Sequence, residues 1–216
     1  LDIDTRTDVY SLGVLLYEVF NYLEGTVCAW RRLESGRDRA RGPSTAVARR
    51  IWDFGRLVKF SHTVFALPFA LAAVVLAQRE APVGWAQLAW ILVAMVAARS
   101  AAMGFNRIVD ARFDRLNPRT ADRDIPSGRI SARSAAVFVA LCSALFVLAA
   151  GMLSRLCLVL APPVLVILFL YSYTKRFTSL SHLYLGFAIA LAPLGAWIAV
   201  TGSFAPAVLT LSLALL

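Results

Sequence analysis

Three oxygen-bearing side chains, Asn106, Asp110 and Asp114, recur every fourth residue in the segment GFNRIVDARFDRLNPRTADRDIPSG. On a helix that spacing stacks them along one face. Two carboxylates and an amide oxygen make a hard, oxygen-rich donor set suited to magnesium. Magnesium seldom takes an all-protein cage and keeps positions open for water or substrate phosphates. The arginines that follow, Arg123 above all, can hold phosphate oxygens through charge-assisted hydrogen bonds. A DxxxD spacing alone usually marks a solvated helix face. Here the acids close a long apolar run, and ionisable groups in a membrane helix are costly and mark function. Arg99, seven residues before Asn106, shares the same face two turns deeper. An arginine at that depth needs an anion, a wet cavity or a buried structural ion pair.

The elements that must position these residues follow from composition. Of 216 residues, 59% are apolar and 16% charged, against about 25% charged in a soluble domain. The mean hydropathy is +0.69. Such a chain cannot cover itself with polar groups, so a lipid bilayer is its natural solvent. The net charge of +9 would suit nucleic acid. The arginines, however, sit in gaps between long apolar runs, which is the layout of loops facing anionic lipid. No nucleic-acid partner is expected. Cys28, Cys142 and Cys157 form no CxxC pair, so neither a disulfide nor a zinc site is read.

A membrane-spanning helix needs about 20 mostly apolar residues. Five full candidates fit, at 58–77, 85–108, 133–153, 156–174 and 183–201, and a sixth apolar run starts near Ala205. The fold class expected is all-α, a polytopic membrane helix bundle of five full spans plus the start of a sixth. Nine Lys/Arg lie between Arg31 and Lys59, six arginines between 111 and 133, and Lys175 and Arg176 follow the fourth run. The alternate loops carry Arg79 and Arg155 alone. Positive loops stay cytoplasmic, which puts the N-terminus, the 111–133 loop and the loop at 175 on the cytosolic side of what is expected to be the cell (inner) membrane. Trp85 and Trp197 near helix ends suit interfacial anchoring, and Pro68, Pro162 and Pro163 are expected to kink or break their helices.

Three regions result: 1–24, 25–57 and 58–216. Residues 25–57 form a polar, basic cytosolic linker. The opening LDIDTRTDVYSLGVLLYEVF resembles a Ser/Thr protein kinase just after its activation segment, and 1–24 reads as a kinase-like remnant or as an amphipathic helix. Neither a phosphate-covering glycine loop nor VAIK, HRD or DFG motifs accompany it, which excludes a working kinase.

From about Leu57 onward the chain resembles the UbiA superfamily of intramembrane aromatic prenyltransferases. The likeness rests on GFNRIVDARFDRLNPRTADRDIPSG, on VKFSHTVFALPFALAAVVLA before it and on YSYTKRFTSLSHLYLGFAIALAPLGAWIAVTG after it. The NPRT…R…PSG wording is nearest to the 4-hydroxybenzoate polyprenyltransferase-like branch. The resemblance implies that Asn106, Asp110 and Asp114 hold Mg2+ on a polyprenyl diphosphate. It implies that Arg123, Lys175 and Tyr171 contact that diphosphate, and that Arg99 faces an aromatic carboxylic acid acceptor. Lys175 and Arg176 also read simply as cytosolic anchors, and His62 as a structural hydrogen-bonding residue. The implied partners are the polyprenyl donor, the aromatic acceptor and the bilayer, and the implied pathway is ubiquinone or menaquinone biosynthesis. The family carries a second aspartate-rich motif in a later helix, which the sequence does not reach by Leu216. The expectation is a polypeptide that is inactive by itself. Two other readings are a non-catalytic membrane fragment or scaffold and a transporter-like bundle, the latter disfavoured by the near absence of charge in the third to fifth runs.

Overall fold

The computed structural model of the chain describes Phe54 and residues 67–177 and 181–213. The kinase-like stretch, the basic linker except Phe54, His62 and the first nine residues of the first expected span lie outside the described residues. Within them the chain is helical throughout and without strands. The helices are α1 (Leu67–Ala77), α2 (Trp85–Leu116), α3 (Ala132–Leu153), α4 (Arg155–Phe177), α5 (Ser181–Thr201) and α6 (Pro206–Leu213). Four of them, α2 to α5, are long and apolar enough to cross a membrane, and α1 is a shorter apolar helix. An all-helical membrane bundle is therefore what the sequence folds into.

In lipid, every backbone polar group must be satisfied within the protein, and helices do this segment by segment. The breaks between them are correspondingly brief. Ser154 alone separates α3 from α4: its N–H donates to the Ala150 carbonyl at 3.1 Å, and its Oγ accepts from the Cys157 N–H at 3.1 Å. Ser131 caps α3 by accepting from the Ser134 N–H at 3.0 Å. Pro162 and Pro163 lie inside α4 and Pro193 inside α5, and both helices run on past them. Pro68 sits in the first turn of described α1.

One apolar core is shared by α1, α2, α5 and α6, through Ala70, Ala73, Val74, Ile91, Ala196, Trp197 and Val208. Trp197, read from sequence as an interfacial anchor, is instead packed inside this core, whereas Trp85 is exposed. The small residues on α1 and α5 let the two backbones come close, which is how helices associate where lipid removes the hydrophobic incentive. Gln87 Nε2 donates to the Ala199 carbonyl at 2.8 Å and ties α2 to α5. Tyr184 donates to the Ile167 carbonyl at 2.8 Å and ties α5 to α4.

Only 17% of the most apolar window of α3, and the same share of α4, is buried within the protein. In water such faces would be untenable. Val137, Leu141, Leu145, Leu148 and Met152 recur three or four residues apart along α3 and are exposed, a stripe made for acyl chains.

α2 packs most extensively on α3, and Gly104 sits tight against that seam. A Cβ built on Gly104 would lie 2.8 Å from Val139 Cγ2, with Phe138 next to it. Gly104→Ala is expected to overpack this seam at a cost of about 1–3 kcal/mol. The measurement is the thermal midpoint in detergent, which should fall below that of the parent chain. An unchanged midpoint would mean that Val139 moves aside freely.

Candidate active site

At 32 residues, α2 is the longest helix among the described residues. With a rise of 1.5 Å per residue it measures about 48 Å, well beyond the about 30 Å of a hydrocarbon core. Counting about 20 residues from exposed Trp85 reaches the neighbourhood of Phe105. Asn106 thus stands at the rim of the apolar zone, and Asp110 and Asp114 project past it on the same unbroken helix. The helix ends because Asn117 precedes Pro118, and a residue before proline is driven out of the helical region. Asn117 accordingly takes φ −103° and ψ 117°.

The chain then folds back on itself. The Thr120 hydroxyl donates to the Asp114 carbonyl at 3.1 Å, and the Asn117 N–H reaches the same carbonyl at 3.3 Å. These bonds satisfy an acceptor that the end of the helix leaves open. Ile125 and Ile130 from the returning segment are buried with Ala135, against Ile108, Ala111, Phe138 and Phe54. Phe54 stacks on Phe138 with ring centroids 4.9 Å apart. Arg129 pairs with Asp124 at 3.3 Å and also donates to the Asp122 carbonyl. Gly128, at φ +80°, closes the turn that lets the Ile130 N–H reach the Asp124 carbonyl at 2.9 Å.

This fold-back brings Arg123 onto Asp114. One terminal nitrogen, Nη1, stands 2.7 Å from each oxygen of the carboxylate. Asp114 is only 8% exposed. Asp114 lies in the last turn of α2, where the open carbonyls favour cations and disfavour a carboxylate, and Arg123 supplies the positive partner. Arg107, beside Asn106 in sequence, lies within electrostatic reach of Arg123, Asp114, Asp110 and Asp124.

Of the residues singled out from sequence, Asp114 and Arg123 are brought into contact, and Asn106 and Asp110 share the face of α2 that leads to them. Arg99 lies two turns deeper, and its Nε is buried without a hydrogen-bond partner. Tyr171 is half-buried on α4 and faces Tyr184 with centroids 6.4 Å apart. Lys175 belongs to the last turn of α4, and its side chain lies outside the described residues. Phe105 stacks on Phe169 at 4.4 Å and meets Tyr173 edge-on at 6.1 Å. Since α2 and α4 run in the same direction, this aromatic clasp brings the turns holding 106–114 and 170–177 to one end of the bundle. Sequence reasoning missed Phe105, Arg107 and Thr120. Only Arg107 carried a readable signal, a second charge beside Asn106.

The donor set can be weighed against magnesium on its chemistry. Among the described residues no group of three or more His, Cys, Asp or Glu side chains gathers to hold a metal. What α2 offers is two carboxylates and an amide along one face, a partial donor set of the kind that phosphate oxygens and water complete around magnesium. The Asp114 carboxylate already holds a cationic nitrogen between its oxygens. The residues fit a magnesium–diphosphate pair and would not fit a dedicated cage.

The structure thus defines a membrane helix bundle whose α2 carries Asn106, Asp110 and Asp114 on one face, two turns beyond the half-buried Arg99. The chain belongs to the UbiA prenyltransferase family, whose sequence profile matches residues 66–216. It is 30% identical over 156 residues to a 4-hydroxybenzoate octaprenyltransferase of Vibrio vulnificus, covering 72% of the chain and 55% of that protein. It is 37% identical over 115 residues to a protoheme IX farnesyltransferase of Shewanella baltica, covering 52% and 38%. The apo structure of a UbiA homolog from Aeropyrum pernix K1 superposes with a TM-score of 0.63 at 37% identity, over 69% of the chain and 55% of its own. A UbiA homolog from Archaeoglobus fulgidus, solved with DMAPP and Mg2+, shares the fold with a TM-score of 0.61 at 19% identity, over 71% and 56%. The chain spans about half the length of these relatives.

Proposed function

We propose that the chain carries the donor half of a magnesium-dependent prenyltransferase that joins a polyprenyl chain to an aromatic carboxylic acid such as 4-hydroxybenzoate. The observation that carries this reading is the pairing of an acidic, cation-holding mouth with a buried, unpartnered Arg99 Nε two turns below it. The relatives named for 4-hydroxybenzoate prenylation support it. The pathway served would be ubiquinone or menaquinone synthesis, and the mouth would face the cytoplasm at the cell (inner) membrane, as its arginine-rich loop favours.

Asn106, Asp110 and Asp114 would hold Mg2+, which when bound neutralises the charge gathering on the diphosphate as it leaves. Arg123, Tyr171 and Lys175 would grip the diphosphate oxygens and fix its orientation. The allylic C–O bond breaks with its electrons passing to diphosphate, and a ring carbon of the acceptor bonds to the allylic carbon. The ring then gives up its proton to the aqueous mouth. Apolar side chains of α2 to α4 exclude water from the cationic prenyl end and accommodate its tail. Arg99 would clamp the acceptor carboxylate and aim the ring carbon.

The test is a prenyl-transfer assay on membranes containing the full-length protein, with Mg2+, a polyprenyl diphosphate and 4-hydroxybenzoate. Prenylated 4-hydroxybenzoate is the expected product. A protein that prenylates protohaem and leaves 4-hydroxybenzoate untouched would overturn the acceptor, and one that consumes no donor would overturn the reaction.

A further inference from the structure

The contact between Arg123 and Asp114 has a geometry that an ordinary arginine–carboxylate pair lacks. Such pairs usually meet fork to fork, two nitrogens on two oxygens. Here a single nitrogen stands 2.7 Å from both oxygens. That is the bisecting position a monatomic cation takes when a carboxylate binds it through both oxygens. The guanidinium side chain is 35% exposed, so it has room to turn, whereas the carboxylate it holds is 11% exposed and has little. The segment delivering Arg123 is anchored independently of this pair, by Thr120 on the Asp114 carbonyl and by buried Ile125 and Ile130. Releasing the side-chain contact therefore need not unfold the loop.

We infer that Arg123 is a positioning residue with two alternating partners: it holds the cation's place on Asp114 until magnesium and the donor arrive, and then passes to the diphosphate. The inference rests on the reading of Asp114 as a metal ligand. While the mouth is empty, Nη1 supplies the positive charge that a carboxylate at a helix C-terminus requires. When the divalent ion takes the carboxylate, the freed guanidinium meets the phosphate oxygens that the ion brings in. Arg123 thus opposes the metal alone and assists the metal with diphosphate, so its removal must act with opposite signs on the two.

The experiment measures Mn2+ binding, by the loss of its free electron-paramagnetic-resonance signal, to the full-length protein in lipid nanodiscs, with and without inorganic pyrophosphate. Arg123→Gln removes the competing charge. It is expected to bind Mn2+ alone about five-fold more tightly than the parent, a partly buried ion pair's worth, and to bind pyrophosphate in the presence of Mn2+ more weakly. Arg123→Lys keeps the charge and is expected to stay near the parent on Mn2+ alone, which separates place-holding from damage to the loop. Equal or weaker binding of Mn2+ alone by Arg123→Gln would overturn the exchange while leaving the metal site standing. Absence of Mn2+ binding in every variant, with or without pyrophosphate, would overturn the metal-site reading and the exchange with it.

Discussion

Asp110→Asn is expected to lower prenyl transfer by about 10²- to 10³-fold, the scale on which removal of one electrostatic contact to a leaving group acts. The substitution keeps size and one oxygen donor and deletes only the charge. Asp110 is the middle member of the 106–110–114 face and is half-buried on α2, beyond the rim of the apolar zone. Under the proposed function, loss of its charge would weaken the hold on Mg2+ and so on the diphosphate. Steady-state prenylation at saturating donor, read beside a melting curve that shows the variant folded, checks the loss of activity. Retention of more than half the parent rate would remove Asp110 from the machinery.

Arg99→Met gives the second large effect, and its signs distinguish two roles. Methionine keeps the length of the apolar stem and removes the charged head. Truncating one partner of a buried charged contact costs about 2–5 kcal/mol, so the KM for 4-hydroxybenzoate should rise by about 10²-fold or more. The KM for the polyprenyl donor should not move, because the proposed diphosphate site lies two turns away. Without acceptor, the variant should be the more stable protein: Arg99 Nε is buried and unpartnered, and a buried polar group without a partner is a standing cost. A structural ion pair at Arg99 would give the opposite result, a fall in the midpoint and equal damage to both KM values.

The spans were legible because hydropathy alone fixes where a helix can sit in lipid. The expected segments 85–108, 133–153, 156–174 and 183–201 each correspond to a helix of the structure. The true end of α2 was not legible from hydropathy. The apolar run stops near Ile108, yet the backbone ladder continues through DARFDRL to Leu116, because those residues are fair helix formers and nothing breaks the ladder before Pro118. That extension is what carries the acids past the end of the apolar run on a rigid support. The face shared by Asn106, Asp110 and Asp114 could be read from spacing. The meeting of Asp114 with Arg123 could not, since it depends on a turn whose path is set by Thr120, Gly128 and two buried isoleucines. Trp197 was misread for a related reason: its distance from the end of a run suggested an interface, whereas its neighbours Ala70, Ala73 and Val74 belong to another helix and leave room for an indole.

Arg99 and Asn106 ride on one uninterrupted helix. Their separation along its axis is about 10 Å over seven residues, and it cannot widen without rupturing backbone hydrogen bonds in lipid, where no water replaces them. α2 is in that sense a ruler. Under the proposed function it would preset the span between the carboxylate end of an acceptor and the phosphate end of a donor. Ring acids should be sorted by their length before any side chain inspects their substituents.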